Sequence, residues 1–95
     1  MLARIYDLQR KKMVRENDRV AIFHSIHRVM QAEKSLKLAG ADILLIPVPR
    51  QLSSDCGLAI RYAPEEAERV EAVLQREQLI PAELFCREGK DYRRL

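Results

Sequence analysis

The sequence has no tryptophan, five aromatic residues, three glycines and two cysteines among its 95 residues. Each scarcity excludes a class of function. Three glycines leave no Gly-x-x-x-x-Gly-Lys phosphate loop and no Gly-x-Gly-x-x-Gly dinucleotide fingerprint. The Gly-x-Ser-x-Gly turn of a serine hydrolase is missing too. Two cysteines, Cys56 and Cys86, pair at most once, and no Cys-x-x-Cys supports a thioredoxin-type cycle. So few aromatics leave no stacking surface of the RNA-recognition kind. The longest apolar runs, Val20–Phe23 and Ile43–Ile46, fall far short of the roughly 20 residues a bilayer span needs. Met1–Asp7 carries charge early and has no apolar signal core. A cytoplasmic chain with reduced thiols and no membrane partner is the expectation.

What is present reads as a globular domain: 47% hydrophobic and 33% charged residues, with a net charge of +3. Basic residues bunch at Arg10–Arg15 and Arg87–Arg94, as solvated ends and not as one nucleic-acid-binding face. Residues 1–18 read as an N-terminal helical extension, with Leu2, Ile5, Tyr6 and Met13 as its apolar positions, suited to docking or to homo-oligomer contact. Residues 19–87 read as the domain, and residues 88–95 as a polar tail.

Within the domain, Arg19–His24 reads as a buried strand, and Ser25 as the N-cap of a helix that ends at Gly40. A second strand covers residues 42–46, and Pro47 and Pro49 stop it. Leu58–Tyr62 is a third strand, and Pro64 opens a second helix with Glu65 and Glu66 in its first turn. Leu84-Phe85-Cys86 is a last short strand, with Cys86 in the core. This order predicts a ferredoxin-like βαββαβ α/β sandwich with an extra N-terminal helix. In that fold the first two strands finish at one end of the sheet, so the turn after His24 and the loop from Pro47 to Gly57 share that end. Cys86 falls at the other.

The Pro47–Gly57 loop is longer than a hairpin of two to five residues requires. Pro47 and Pro49 stiffen its entry, and Ser53, Ser54, Asp55 and Gly57 surround Cys56 with small or polar groups. A thiol reacts as its thiolate, which positive neighbours favour. Arg50 in the loop, and His24, Ser25 and the helix start across the sheet end, are the expected anion-stabilising groups. Gly57 leaves room for a partner backbone to approach. His24 and His27 with Cys56 could also supply three metal ligands, but no specific motif backs that set, and no metal or cofactor is expected.

The pattern Phe23-His24-Ser25-x-His27, Ala32-Glu33-Lys34-x-Leu36-Lys37, Ile46-Pro47-Val48-Pro49-Arg50 and Ser53-Ser54-x-Cys56-Gly57 resembles the selenium/sulfur carrier-like family of small bacterial proteins, DUF3343. The resemblance spans about residues 19–80. It implies a carrier, not a stand-alone enzyme, with Cys56 holding reduced sulfur or selenium as persulfide or perselenide. It further implies a donor enzyme and an acceptor protein as partners, and a site shaped by Arg50, Ser53, Ser54 and Gly57. The alternative is a ferredoxin-like small-anion-binding or regulatory module in which Cys56 is incidental.

Overall fold

A computed structural model describes residues 14–52 and 57–95. In chain order the elements are β1 (Arg19–Ile22), α1 (Ile26–Leu38), β2 (Ile43–Pro47), β3 (Leu58–Tyr62), a 3₁₀ turn (Pro64–Glu66), α2 (Ala67–Arg76), β4 (Glu83–Glu88) and β5 (Asp91–Arg94). The fold is α+β, with a five-stranded antiparallel sheet in the order β2-β3-β1-β4-β5 and two helices. The order of the first four strands is consistent with the ferredoxin-like arrangement expected from the sequence.

The central strand β1 pairs with two neighbours, which sets the register of the whole sheet. Ile22 lies opposite Ala59 on one side and Glu83 on the other. At the strand's start, Arg19 lies opposite Tyr62 and Cys86. Because β2 and β1 both run antiparallel to β3, they finish together. The turn at His24, both stems of the Pro47–Gly57 loop, and the start of β4 therefore share one end of the sheet. Cys86 lies at the opposite end.

Side chains alternate across the strands and build two apolar layers. On one face Ala21, Phe23, Ile43, Ile60 and Tyr62 pack with Val29, Ala32 and Leu36 of α1 and Val70, Val73 and Leu74 of α2. On the other face Val20, Ile22, Ile46, Ala59 and Phe85 form a second cluster. Val48 and Leu52, the flanks of the loop, pack against this second cluster.

Both helices close with the same device. Gly40 at φ +78 ends α1: its N–H donates to Lys37 O at 3.1 Å, and Ala41 N–H donates to Leu36 O at 3.0 Å. Gln78 at φ +58 ends α2, with Gln78 N–H on Gln75 O at 3.1 Å and Leu79 N–H on Leu74 O at 2.8 Å.

Three expectations differ from the structure. The polar tail is a strand: Asp91–Arg94 pairs with β4 across a turn in which Gly89 takes φ +63. Only Tyr92 of β5 joins the apolar cluster, too little for hydrophobic alternation to reveal a strand. Pro64 opens a 3₁₀ turn, and the α-helix begins at Ala67. At the N-terminus, residues 14–18 form no helix. They turn at Asn17 (φ 68), whose N–H donates to Arg87 O at 2.9 Å, so the chain is already aligned on the end of β4. Residues 1–13 of the expected extension lie outside the described residues.

Candidate functional site

The stems of the Pro47–Gly57 loop are fixed from three directions. The Val48 N–H donates to Gly57 O at 3.0 Å and closes the base of the loop. Leu52 N–H donates to Pro49 O at 2.9 Å, turning the chain through Pro49, Arg50 and Gln51. Val48 and Leu52 bury part of their side chains on the second cluster, anchoring the stems to the sheet. Arg50 stays exposed at the turn. Ser53, Ser54 and Cys56 lie outside the described residues, between a packed Leu52 and a hydrogen-bonded Gly57 in sequence.

Gly57 itself has no need of glycine's conformational freedom. Its φ is outside the left-handed region, and a Cβ there would meet Val48 Cγ2 at 3.7 Å, an ordinary contact. The fold does not demand this residue.

Across the same sheet end, His24 follows β1 with its backbone at φ +56, a left-handed conformation that a non-glycine residue adopts at some cost. Its Nε2 lies 2.6 Å from Glu83 Oε2, while Arg94 Nη2 donates to Glu83 Oε1 at 2.7 Å. One carboxylate thus joins the ends of β1, β4 and β5. Ser25 adopts extended backbone, and its Oγ accepts from Arg28 N–H at 3.3 Å as the N-cap of α1. His27 is exposed one residue into the helix. Among the described residues no three His, Cys, Asp or Glu side chains cluster to hold a metal ion, and His24 Nε2 is taken by Glu83.

Glu83 and Arg94 were not candidates from the sequence. A glutamate before an apolar strand and an arginine in a polar stretch carry no motif, and only the register of β4 and β5 brings them to His24. Cys86, by contrast, is buried at the opposite end with Sγ 3.8 Å from Asn17 O. A cavity of about 230 Å³ lined by Arg15, Asp42, Ile43, Leu44 and Arg61 also lies away from the loop, at the Cys86 end of the sheet.

The class this defines is a small α+β protein with a long loop and a histidine–carboxylate–arginine group at one end of an antiparallel sheet. The chain belongs to the family described as "Putative Se/S carrier protein-like", whose model matches residues 18–86. That span includes His24, the whole Pro47–Gly57 loop and Glu83, and ends before β5. No curated protein and no solved structure matches the chain. Among the described residues no helix is long and apolar enough to cross a membrane.

Proposed function

We propose that the protein carries reduced sulfur or selenium on Cys56. Membership in the carrier-like family over a span that contains the Cys56 loop is the observation that carries this reading. Further support comes from the loop stems: closed at Val48 and Gly57 and seated on the sheet, they can present a short reactive segment to another protein.

In the transfer step, the Cys56 thiolate attacks the outer sulfur of a donor persulfide, R–S–SH. A new bond forms from the Cys56 sulfur, the donor's own S–S bond breaks, and the donor leaves as thiolate R–S⁻. Atoms and charge balance with no net redox change, so no oxidant is required. A donor R–S–SeH delivers selenium in the same way. Delivery to an acceptor thiolate is the same exchange with Cys56 as the leaving group. Arg50, on the turn that precedes the thiol in sequence, supplies positive charge, and donor and acceptor proteins in the cytoplasm are the partners.

The test is loading by a cysteine desulfurase with labelled cysteine, read by intact-protein mass and by peptide mapping. Wild-type protein is expected to gain one sulfur on Cys56, and Cys56→Ser to gain none. Equal label on Cys56→Ser, or an unloaded wild type, defeats the reading in favour of an anion-binding module.

A further inference from the structure

Among the described residues, five large apolar side chains are exposed: Ile26, Met30, Leu38, Ile80 and Leu95. One such residue alone needs no explanation, because much of any protein surface is apolar. Their distribution does. Ile26, 59% exposed, is the first residue of α1 and follows directly on His24 and Ser25. Ile80, 57% exposed, lies between the end of α2 and the start of β4 at Glu83. Leu95, 49% exposed, is held beside the same start of β4, where its N–H donates to Leu84 O at 2.9 Å. Glu83 pairs with Ile22 and receives His24 Nε2, so these three residues surround the end of the sheet where β1 finishes. Met30 extends the patch one helical turn behind Ile26. Leu38, in the last turn of α1, lies at the opposite end.

Positive charge gathers with the apolar residues. Arg28, in the first turn of α1, is exposed and reaches Gln78 O just beyond α2 at 3.4 Å. Arg50 is exposed on the loop turn. Nearby carboxylates are already engaged: Glu83 by His24 and Arg94, and Glu77 by Arg76. At the opposite end, exposed Glu16, Asp42 and Glu65 are interleaved with Arg15.

We propose that this end of the sheet is the docking surface for the donor enzyme, which meets it with an apolar patch rimmed by carboxylates. The inference rests on the carrier reading, which brings a second protein to the Pro47–Gly57 loop, whose stems finish at this end. Aliphatic side chains among cations suit an interface with an apolar centre and a charged rim. Arg28 and Arg50 steer an acidic partner into place. Nucleic acid is a poorer match, because the exposed apolar side chains here are aliphatic or thioether, with no ring for a base to stack on.

The test is titration of the full-length protein with a cysteine desulfurase, at low and at high salt. Ile26→Asp and Ile80→Asp are each expected to weaken binding about tenfold or more, as for residues at the centre of an interface. Arg28→Glu should weaken it severalfold at low salt and less at high salt. Leu38→Asp makes the same kind of change at the other end and should stay within about twofold of wild type. Aspartate in the first turn of a helix suits its dipole, so affinity lost at Ile26 does not reflect a weakened α1. Urea midpoints close to wild type in all four variants check this, since every changed position is exposed. The proposal is overturned if the desulfurase does not bind, if Ile26→Asp and Ile80→Asp bind within about twofold of wild type, or if Leu38→Asp weakens binding as much as they do. Tighter binding to an oligonucleotide than to the desulfurase, lost in Arg28→Glu but kept in Ile26→Asp, overturns it as well. Failure of the carrier reading looks different: binding depends on Ile26 and Ile80 as expected, yet Cys56 gains no sulfur. Conversely, undiminished loading of Cys56 in Ile26→Asp and Ile80→Asp leaves the carrier reading standing and removes this surface from it.

Discussion

The two ends of the sheet are built on opposite principles. At the end where β1 starts, Asp18, Arg61 and Tyr62 are shielded and paired, although Arg61 Nε finds no hydrogen-bond partner among the described residues. Asp18, 3% exposed, accepts from Arg15 N–H at 2.8 Å and from Arg61 Nη1 at 3.0 Å. Tyr62 is buried with its hydroxyl 3.3 Å from Glu71, which also receives Arg19 Nη1 at 2.9 Å. At the end where β1 finishes, charged groups face water: Arg50 is exposed, and His24 and Arg94 are exposed around the shielded Glu83. Buried polar pairs fix register and are costly to break. Exposed ones contribute little to stability and remain available for chemistry. The division places the shielded pairs at one end, where Cys86 lies, and the exposed charges at the other, where the stems of the Pro47–Gly57 loop lie.

The largest expected effect tests that division from the stable end. Asp18→Ala leaves the Arg61 guanidinium, whose side chain is 13% exposed, without its partner. Stranding a buried charge costs about 3 kcal/mol, measurable as a shift in the urea midpoint. Cys86, whose Sγ lies beside Asn17, reacts only when this end opens, so its labelling should speed up roughly a hundredfold. Cys56 labelling by the native protein should stay within about twofold. Equal acceleration of both thiols would mean that the two ends open as one, and the division would not hold.

A second effect is set by pH. Burial above all, with the Glu71 carboxylate beside it, pushes the Tyr62 hydroxyl well above the ordinary tyrosine value of about 10. The folded chain thus favours the neutral phenol. Below pH 10 the phenol is neutral in both states, and this contribution to stability is complete. Above that, the unfolded chain ionises first, and stability falls by about 1.4 kcal/mol per pH unit. Urea midpoints between about pH 9 and 11 should fall less steeply for Tyr62→Phe than for wild type, and Glu83→Ala should keep the wild-type slope. A slope that survives in Tyr62→Phe would assign the alkaline loss to another group.

How far the sequence carried this picture depends on the kind of signal each part leaves. The first strand was legible because Val20, Ala21 and Ile22 form a continuous apolar run, as a strand covered on both faces does, and the helices because Val29 and Leu36, and Val70 and Leu74, recur at helical spacing; all are buried. Ser25 and Gly40 marked the limits of α1 through chemistry that acts within a few residues. β5 was illegible because its pairing rests on backbone hydrogen bonds and one Tyr92 contact, and Asp91, Arg93 and Arg94 look like a solvated end. The same holds at the site. The loop announced itself by length and composition, which are local. Glu83 and Arg94 reach His24 through pairings 59 and 11 residues apart, and no local pattern encodes them.

The smallest expected effect on stability is at Gly57, and it sharpens the contrast from the loop end. Glycine relieves a left-handed backbone at Gly89, whose φ is +63, and at Gly40, whose φ is +78. Gly57 has neither a left-handed φ nor a tight neighbour, since an added methyl would sit 3.7 Å from Val48 Cγ2. Gly57→Ala should leave the urea midpoint within about 0.5 kcal/mol of wild type, or raise it slightly by restricting the unfolded chain. If the glycine serves approach by a protein partner, the same variant should load severalfold more slowly from a desulfurase while iodoacetamide, a small reagent, labels Cys56 at the wild-type rate. Slowing of both would point to a change in the thiol itself, and slowing of neither would make Gly57 a bystander. Only the split result assigns this position to the docking of a macromolecule, a role that neither burial nor backbone conformation demands of it.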